Sequence, residues 1–166
     1  MSHVRMCPTD DTPHWASGIA VALVAACIVG ACSTSAHAAD TSLLLFGASK
    51  HLNVQGDRKF NERNPGIGLE VREGGWHAGA LTYKDSFNDR AWAAYAGYRY
   101  SYEVTQDLKL QAGLRVGYLH GSGFHQVVPL PTVGVQYGKV ALEAFFAPAR
   151  RKGAADVVGA FIRIDF

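Results

Sequence analysis

Cysteine is scarce in this sequence: among its 166 residues only Cys7, Cys27 and Cys32 carry thiols, and all three precede Ala38. A chain cleaved after Ala38 has none left, which excludes disulfides and cysteine-bound metals. Charge of one sign is equally short. The formal net charge is +2, too little to argue for a nucleic-acid partner. Long apolar runs are confined to one place, Ile19 to Ala31, and that run is shorter than the roughly 20 residues a helix needs to cross a bilayer. It leads to Ser35-Ala36-His37-Ala38, where Ala36 and Ala38 are the small residues of a signal-peptidase site. Residues 1–38 therefore read as an export signal, with 39–166 as the mature domain. Arg5 is offset by Asp10 and Asp11, so Met6 is an alternative start. Val29-Gly30-Ala31-Cys32 is an alternative, lipoprotein-type cleavage site, although a barrel needs no lipid anchor to stay in a membrane.

Glycine is plentiful, with 18 residues, as fits many short strands and turns. The mature segments repeat one pattern, apolar residues alternating with small or polar ones over about ten positions, the length of a membrane-spanning strand. Leu108, Leu110, Ala112, Leu114, Val116 and Tyr118 fall on one face of such a segment. Lys109, Gln111, Gly113, Arg115 and Gly117 fall on the other. At the chain end, Phe166, Ile164, Ile162, Ala160 and Val158 share a face, against Asp165, Arg163 and Gly159. An alternating strand closing on a terminal aromatic resembles the insertion signal of outer-membrane proteins, whereas soluble chains more often fray into polar residues.

The alternation predicts eight strands: Ser42–His51, Pro65–Arg72, Trp76–Tyr83, Ala91–Tyr100, Leu108–Leu119, Val128–Tyr137, Val140–Ala147 and Val157–Phe166. An even number lets an antiparallel sheet close and leaves no edge in lipid. The expected fold is thus all-β, an eight-stranded antiparallel transmembrane barrel of the bacterial outer-membrane type. Connections at Glu73-Gly74-Gly75, Ser101 to Asp107 and Gly138-Lys139 are short and belong in the periplasm. Those at Leu52 to Asn64, Lys84 to Arg90, His120 to Val127 and Pro148 to Asp156 are longer and belong outside. Eight strands enclose room for side chains or one small ligand, which excludes a general porin. Arg99 and Arg115 face inward and need carboxylate partners, with Glu70, Glu143 and Asp165 as candidates.

From its residues alone, Lys84-Asp85-Ser86-Phe87-Asn88 reads as a solvated turn. Taken with Phe60-Asn61-Glu62-Arg63, Gly75-Trp76-His77, Ala96-Gly97-Tyr98, Val128-Pro129-Leu130-Pro131 and Val135-Gln136-Tyr137-Gly138, it resembles the lipid A palmitoyltransferase family in order and approximate spacing. The resemblance implies an outer-membrane enzyme, acting as a monomer, that moves a palmitoyl chain from a phospholipid to lipid A. It implies catalytic roles for His51, Asp85 and Ser86. His51 is the natural base, since histidine titrates near neutral pH. Asp85 is a candidate to orient it, and Ser86 is either nucleophile or hydrogen-bond donor. Arg63, Lys84, Asn88 and Arg90 are the candidate substrate-binding residues. They belong to a basic outer surface with Lys50, Arg58, Lys59, Arg150, Arg151 and Lys152, suited to lipid A phosphates. The sequence carries no metal or nucleotide motif, so no cofactor is expected.

The chain departs from the family in three places. No amphipathic helix precedes the first strand, the loop from His51 to Arg63 is shorter, and Arg99 falls near the floor of the family's acyl pocket. Two other readings stand beside the transferase. One is a non-catalytic barrel with a packed polar interior. The other is a lipid A deacylase-like esterase, from His120-Gly121-Ser122 at the outer end of the fifth strand.

Overall fold

The computed structural model describes residues 39–54, 56–57, 59–122, 124–149 and 155–166; the expected export signal at 1–38 lies outside them. Eight strands follow in order: β1 Asp40–Leu52, β2 Arg63–Glu73, β3 Trp76–Lys84, β4 Arg90–Glu103, β5 Leu108–Gly121, β6 Phe124–Tyr137, β7 Val140–Ala147 and β8 Asp156–Asp165. Each pairs antiparallel with its neighbour, and β1 pairs with β8, so the sheet closes as a barrel. The expected eight strands are all present. One connection differs: His120 to Val127 is not a long loop. Strands β5 and β6 run on to His120↔His125 and Gly121↔Phe124, with Ser122 in a turn just beyond β5. Above the apolar band both faces of that hairpin are polar or aromatic, so the alternation that marks a strand is lost there although the ladder continues. The last strand ends at Asp165 rather than Phe166, whose N–H still donates to the Thr41 carbonyl at 3.0 Å.

Period-two alternation sets the two surfaces. Ile67, Leu69, Leu110, Leu114, Val133, Leu142 and Ile162 point outward and are exposed on the protein alone, forming the belt that hydrocarbon covers. Below them Trp76, Tyr98, Tyr100, Tyr102, Tyr137 and Phe166, all exposed, gather near the short turns. That is an aromatic girdle at one membrane interface. The turns themselves are tight. Gly74 and Gly138 have φ of 58° and 56°, the left-handed conformation that two-residue hairpins require.

The interior has two halves. Toward the periplasm it is filled by ions: Arg99, Arg115 and Arg163 face Glu70, Glu143 and Asp165. Arg99 reaches Glu70 at 2.7 Å and Glu143 at 3.2 Å. Arg115 reaches Glu143 at 2.8 Å and Glu70 at 3.1 Å. Arg163 reaches Glu143 at 2.7 Å and also bonds Asp165. Three cations against three carboxylates balance the charge, and Tyr95 donates a further 2.6 Å bond to Glu70. Each charge gives up water for an opposite charge, the condition under which buried ions are tolerated, although Nε and Nη1 of Arg99 are buried without a hydrogen-bond partner among the described residues. Arg99 and Arg115 are 4% and 3% exposed, so both expected inward arginines find the expected carboxylates. Gly79 makes room for this arrangement, because a Cβ there would lie 2.7 Å from the Tyr95 hydroxyl. Toward the outside the interior is apolar and open.

Candidate active site

Above the ion network lies a cavity of about 390 Å³, walled by Leu44, Phe46, Leu81, Leu130, Phe145 and Phe161 among others. Its floor is the Arg115 guanidinium, held 4.6 Å from the ring centroids of both Tyr95 and Phe161. Arg99, placed near the floor by sequence, does not line the cavity. Its side chain belongs wholly to the ion network, where Glu70 and Glu143 draw it. Gly159 keeps one wall thin, since a Cβ there would lie 2.3 Å from the Phe145 ring.

His51 and Ser86 meet at the mouth. His51 is the next-to-last residue of β1, and Ser86 follows β3 in the turn before β4. Ser86 Oγ and His51 Nε2 are 3.0 Å apart, within the range for a nucleophile and its base. The imidazole lies flat on Phe60, with centroids 4.1 Å apart and planes 12° from parallel. Phe60 in turn meets Phe87 edge-on at 5.8 Å. His51 Nδ1 is buried and has no hydrogen-bond partner among the described residues. A stacked ring, rather than a carboxylate, thus holds the histidine in place.

Asp85 does not orient His51, contrary to the role the resemblance implied. One carboxylate oxygen accepts the N–H groups of Phe87 at 2.8 Å and Asp89 at 3.0 Å. The other accepts the Ser122 hydroxyl at 2.6 Å and the Ser122 N–H at 2.9 Å. Partial burial works to raise its pKa, but the bonds from Ser122, Phe87 and Asp89 outweigh that and hold the carboxyl below its ordinary range. With four donors taken, Asp85 shapes the turn that presents Ser86 and ties that turn to the β5–β6 hairpin. Ser122 was visible in sequence only as part of the esterase reading, which fails on geometry. The Ser122 hydroxyl serves Asp85 and Asp89, while the His120 ring bonds His125.

Asn61 and Asn64 complete the scaffold, and nothing in the sequence reading marked them as site residues. Asn61 N–H donates to the Ser86 carbonyl at 2.8 Å, and its side-chain amide to the Asp85 carbonyl at 3.2 Å. Asn64, 2% exposed, accepts from Ser49 Oγ at 2.6 Å and donates to the Lys84 carbonyl at 2.9 Å. It stands where the β1–β2 ladder shifts register between Phe46 and Ala48, so its side chain bridges a break in the backbone pairing. Of the expected substrate-binding residues, Lys84, Asn88 and Arg90 line one outward groove with Ile67 and Thr82. Arg63 is exposed but does not line that groove. Arg58 and 150–152 lie outside the described residues.

A second interruption opens the wall sideways. Among the described residues the β6–β7 ladder runs from Tyr137↔Val140 only to Thr132↔Phe145, whereas β6 stays paired with β5 as far as Phe124. Pro129 and Pro131 lie just beyond the end of the β6–β7 ladder. Since the β5 side of β6 remains intact through both, the N–H groups they lack are those that would have faced β7.

Several known proteins are similar to this chain. No curated protein sequence matches it. Among solved structures, Neisserial surface protein A aligns over 77% of this chain and 96% of its own, at 16% identity and a TM-score of 0.41. The Yersinia pestis outer membrane protein Ail, in a phospholipid bilayer nanodisc, aligns over 77% and 99%, at 11% identity and a TM-score of 0.37. Residues 42–163 match the family model described as antimicrobial peptide resistance and lipid A acylation protein PagP. That span takes in most of β1 through most of β8, with His51, Ser86 and the cavity below them, and so this chain, a barrel of the bacterial outer membrane, belongs to the PagP family.

Proposed function

We propose that the protein is a monomeric acyltransferase that moves an acyl chain from a phospholipid to lipid A. The observation that carries this reading is the 3.0 Å contact of Ser86 and His51 over an apolar cavity. The acyl chain lies in the cavity, where its methylenes leave water, and stops at the Arg115 floor. Its ester carbonyl then sits at the mouth beside Ser86. The Ser86 oxygen attacks the carbonyl carbon while His51 takes the hydroxyl proton; the ester C–O bond breaks, and His51 returns the proton to the departing lysophospholipid. A lipid A hydroxyl then attacks the acyl-serine. His51 takes its proton and hands it to Ser86 as that bond breaks. Lys84, Asn88 and Arg90 provide donors for phosphate on the outward groove, and the unpaired wall between β6 and β7 supplies a path from the leaflet to the cavity.

A non-catalytic barrel is supported less well. Such an interior would be packed with paired polar groups throughout, as the periplasmic half is, and would have no use for an open apolar chamber beneath a histidine–serine pair.

The test is an assay of the purified protein in detergent with a phospholipid radiolabelled in its acyl chains and unlabelled lipid A. Label should pass to lipid A with the wild type and not with Ser86→Ala. Label released only as free fatty acid, or retained in phospholipid, would refute the transferase.

A further inference from the structure

His120 and His125 form a second polar pair at the outer rim, on the opposite face of the wall from the cavity. They are cross-strand partners at the top of the β5–β6 hairpin. Their Nδ1 atoms are 2.9 Å apart and their ring centroids 4.4 Å. The proposed acyl transfer uses neither residue. The His120 ring also stacks on Trp92, with centroids 5.4 Å apart and planes 15° from parallel. His120 is therefore held from behind while His125 is exposed.

We propose that His120 and His125 are a cis-bidentate site for a divalent copper or nickel ion. Two imidazole nitrogens bound at about 2.0–2.1 Å and at a right angle to one ion lie about 2.9 Å apart, which is the separation found here. A tetragonal ion with nitrogen and oxygen ligands prefers that angle, and copper is the tightest binder of the divalent first-row series. A tetrahedral zinc angle would need the pair to open to roughly 3.3 Å. In the free protein one Nδ1–H donates to the other Nδ1. Binding moves that proton to Nε2 of the same ring through solvent, so both Nδ1 lone pairs face the ion and no net proton is released. The exposed His125 ring swings about χ2, a soft torsion for histidine, to bring both lone pairs onto the ion while the Trp92 stack keeps His120 in place. The remaining ligands are waters on the exposed side. Hard cations such as magnesium, which require oxygen ligands, are not accommodated. An ion here ties together the two strands whose connecting turn carries Ser122, and so stiffens the hairpin that holds Asp85.

Trp92 makes the site directly readable, because a copper ion on His120 quenches an indole stacked against it. The protein extracted from outer membranes in detergent, without an affinity tag, is titrated with copper sulfate in a Trp76→Phe background, so that Trp92 supplies the barrel's tryptophan emission. One equivalent should quench it, and nitrogen hyperfine structure should appear in the copper resonance spectrum. His120→Asn and His125→Asn should each weaken binding at least tenfold, while His51→Asn and His77→Asn leave it unchanged. Calorimetric titration of the protein retaining Trp76 gives the same affinities without reliance on fluorescence. Copper binding that survives in both His120→Asn and His125→Asn, or no binding by the parent protein at micromolar copper, would overturn the site.

Discussion

The chemistry of His51 depends on one hydrogen bond and one stacked ring. Replacing His51 or Ser86 by alanine should lower acyl transfer about a hundredfold or more while leaving the folded barrel intact on gels, because both side chains sit at its mouth. Phe60 is a positioning residue for the imidazole. Phe60→Ala should cost about ten- to a hundredfold in kcat with little change in KM, and Phe60→Tyr should restore most of it. A Phe60→Ala enzyme with unchanged kcat would show that the stack does not hold the base. Asp85 adds a pH dependence. Its folded pKa is depressed, so its contribution to the turn is complete above the unfolded value, about 3.9, and is lost as the pH falls through the folded one. Stability of the barrel in detergent should therefore fall reversibly in acid. Ser122→Ala removes a donor to the carboxylate and should move that loss to higher pH, measured as urea midpoints at stepped acidic pH.

At the scale of elements, the strands carried their own signature and the outer loops did not. The alternation in Leu108–Leu119 and Val158–Phe166 assigned inside and outside correctly, because lipid on one face and a crowded interior on the other leave few choices at each position. The same logic anticipated Arg99 and Arg115 against Glu70 and Glu143. Where the wall rises out of the apolar band the constraint lapses, and the strands around His120 and His125 looked like a loop. The pairing of His51 with Ser86 came from family resemblance rather than spacing, since 35 residues separate them. The true partner of Asp85 is Ser122, 37 residues away, and no local pattern announces it. The ion network is testable as a unit. Glu143→Ala would leave Arg99, Arg115 and Arg163 facing Glu70 and Asp165, and should destabilise the barrel by about 3–5 kcal/mol, read as a lower urea midpoint in detergent. A shift within error would mean that the network is not the main bond between the strands it joins.

At the largest scale the described residues form a closed sheet whose exposed face suits lipid and whose chamber opens to the outside. The protein should show β circular dichroism in detergent and migrate faster unheated than boiled on a gel. Deleting Phe166 should impair its assembly, as its exposed ring joins the girdle and its N–H extends the β1–β8 seam. Acylation of lipid A at the His51–Ser86 mouth is read from the mass spectrum of lipid A from cells lacking the protein, expressing it, or expressing Ser86→Ala at equal outer-membrane levels. A species heavier by one long acyl chain is expected in the wild-type cells alone. Identical spectra in all three, with the barrel present in the outer membrane, would contradict it.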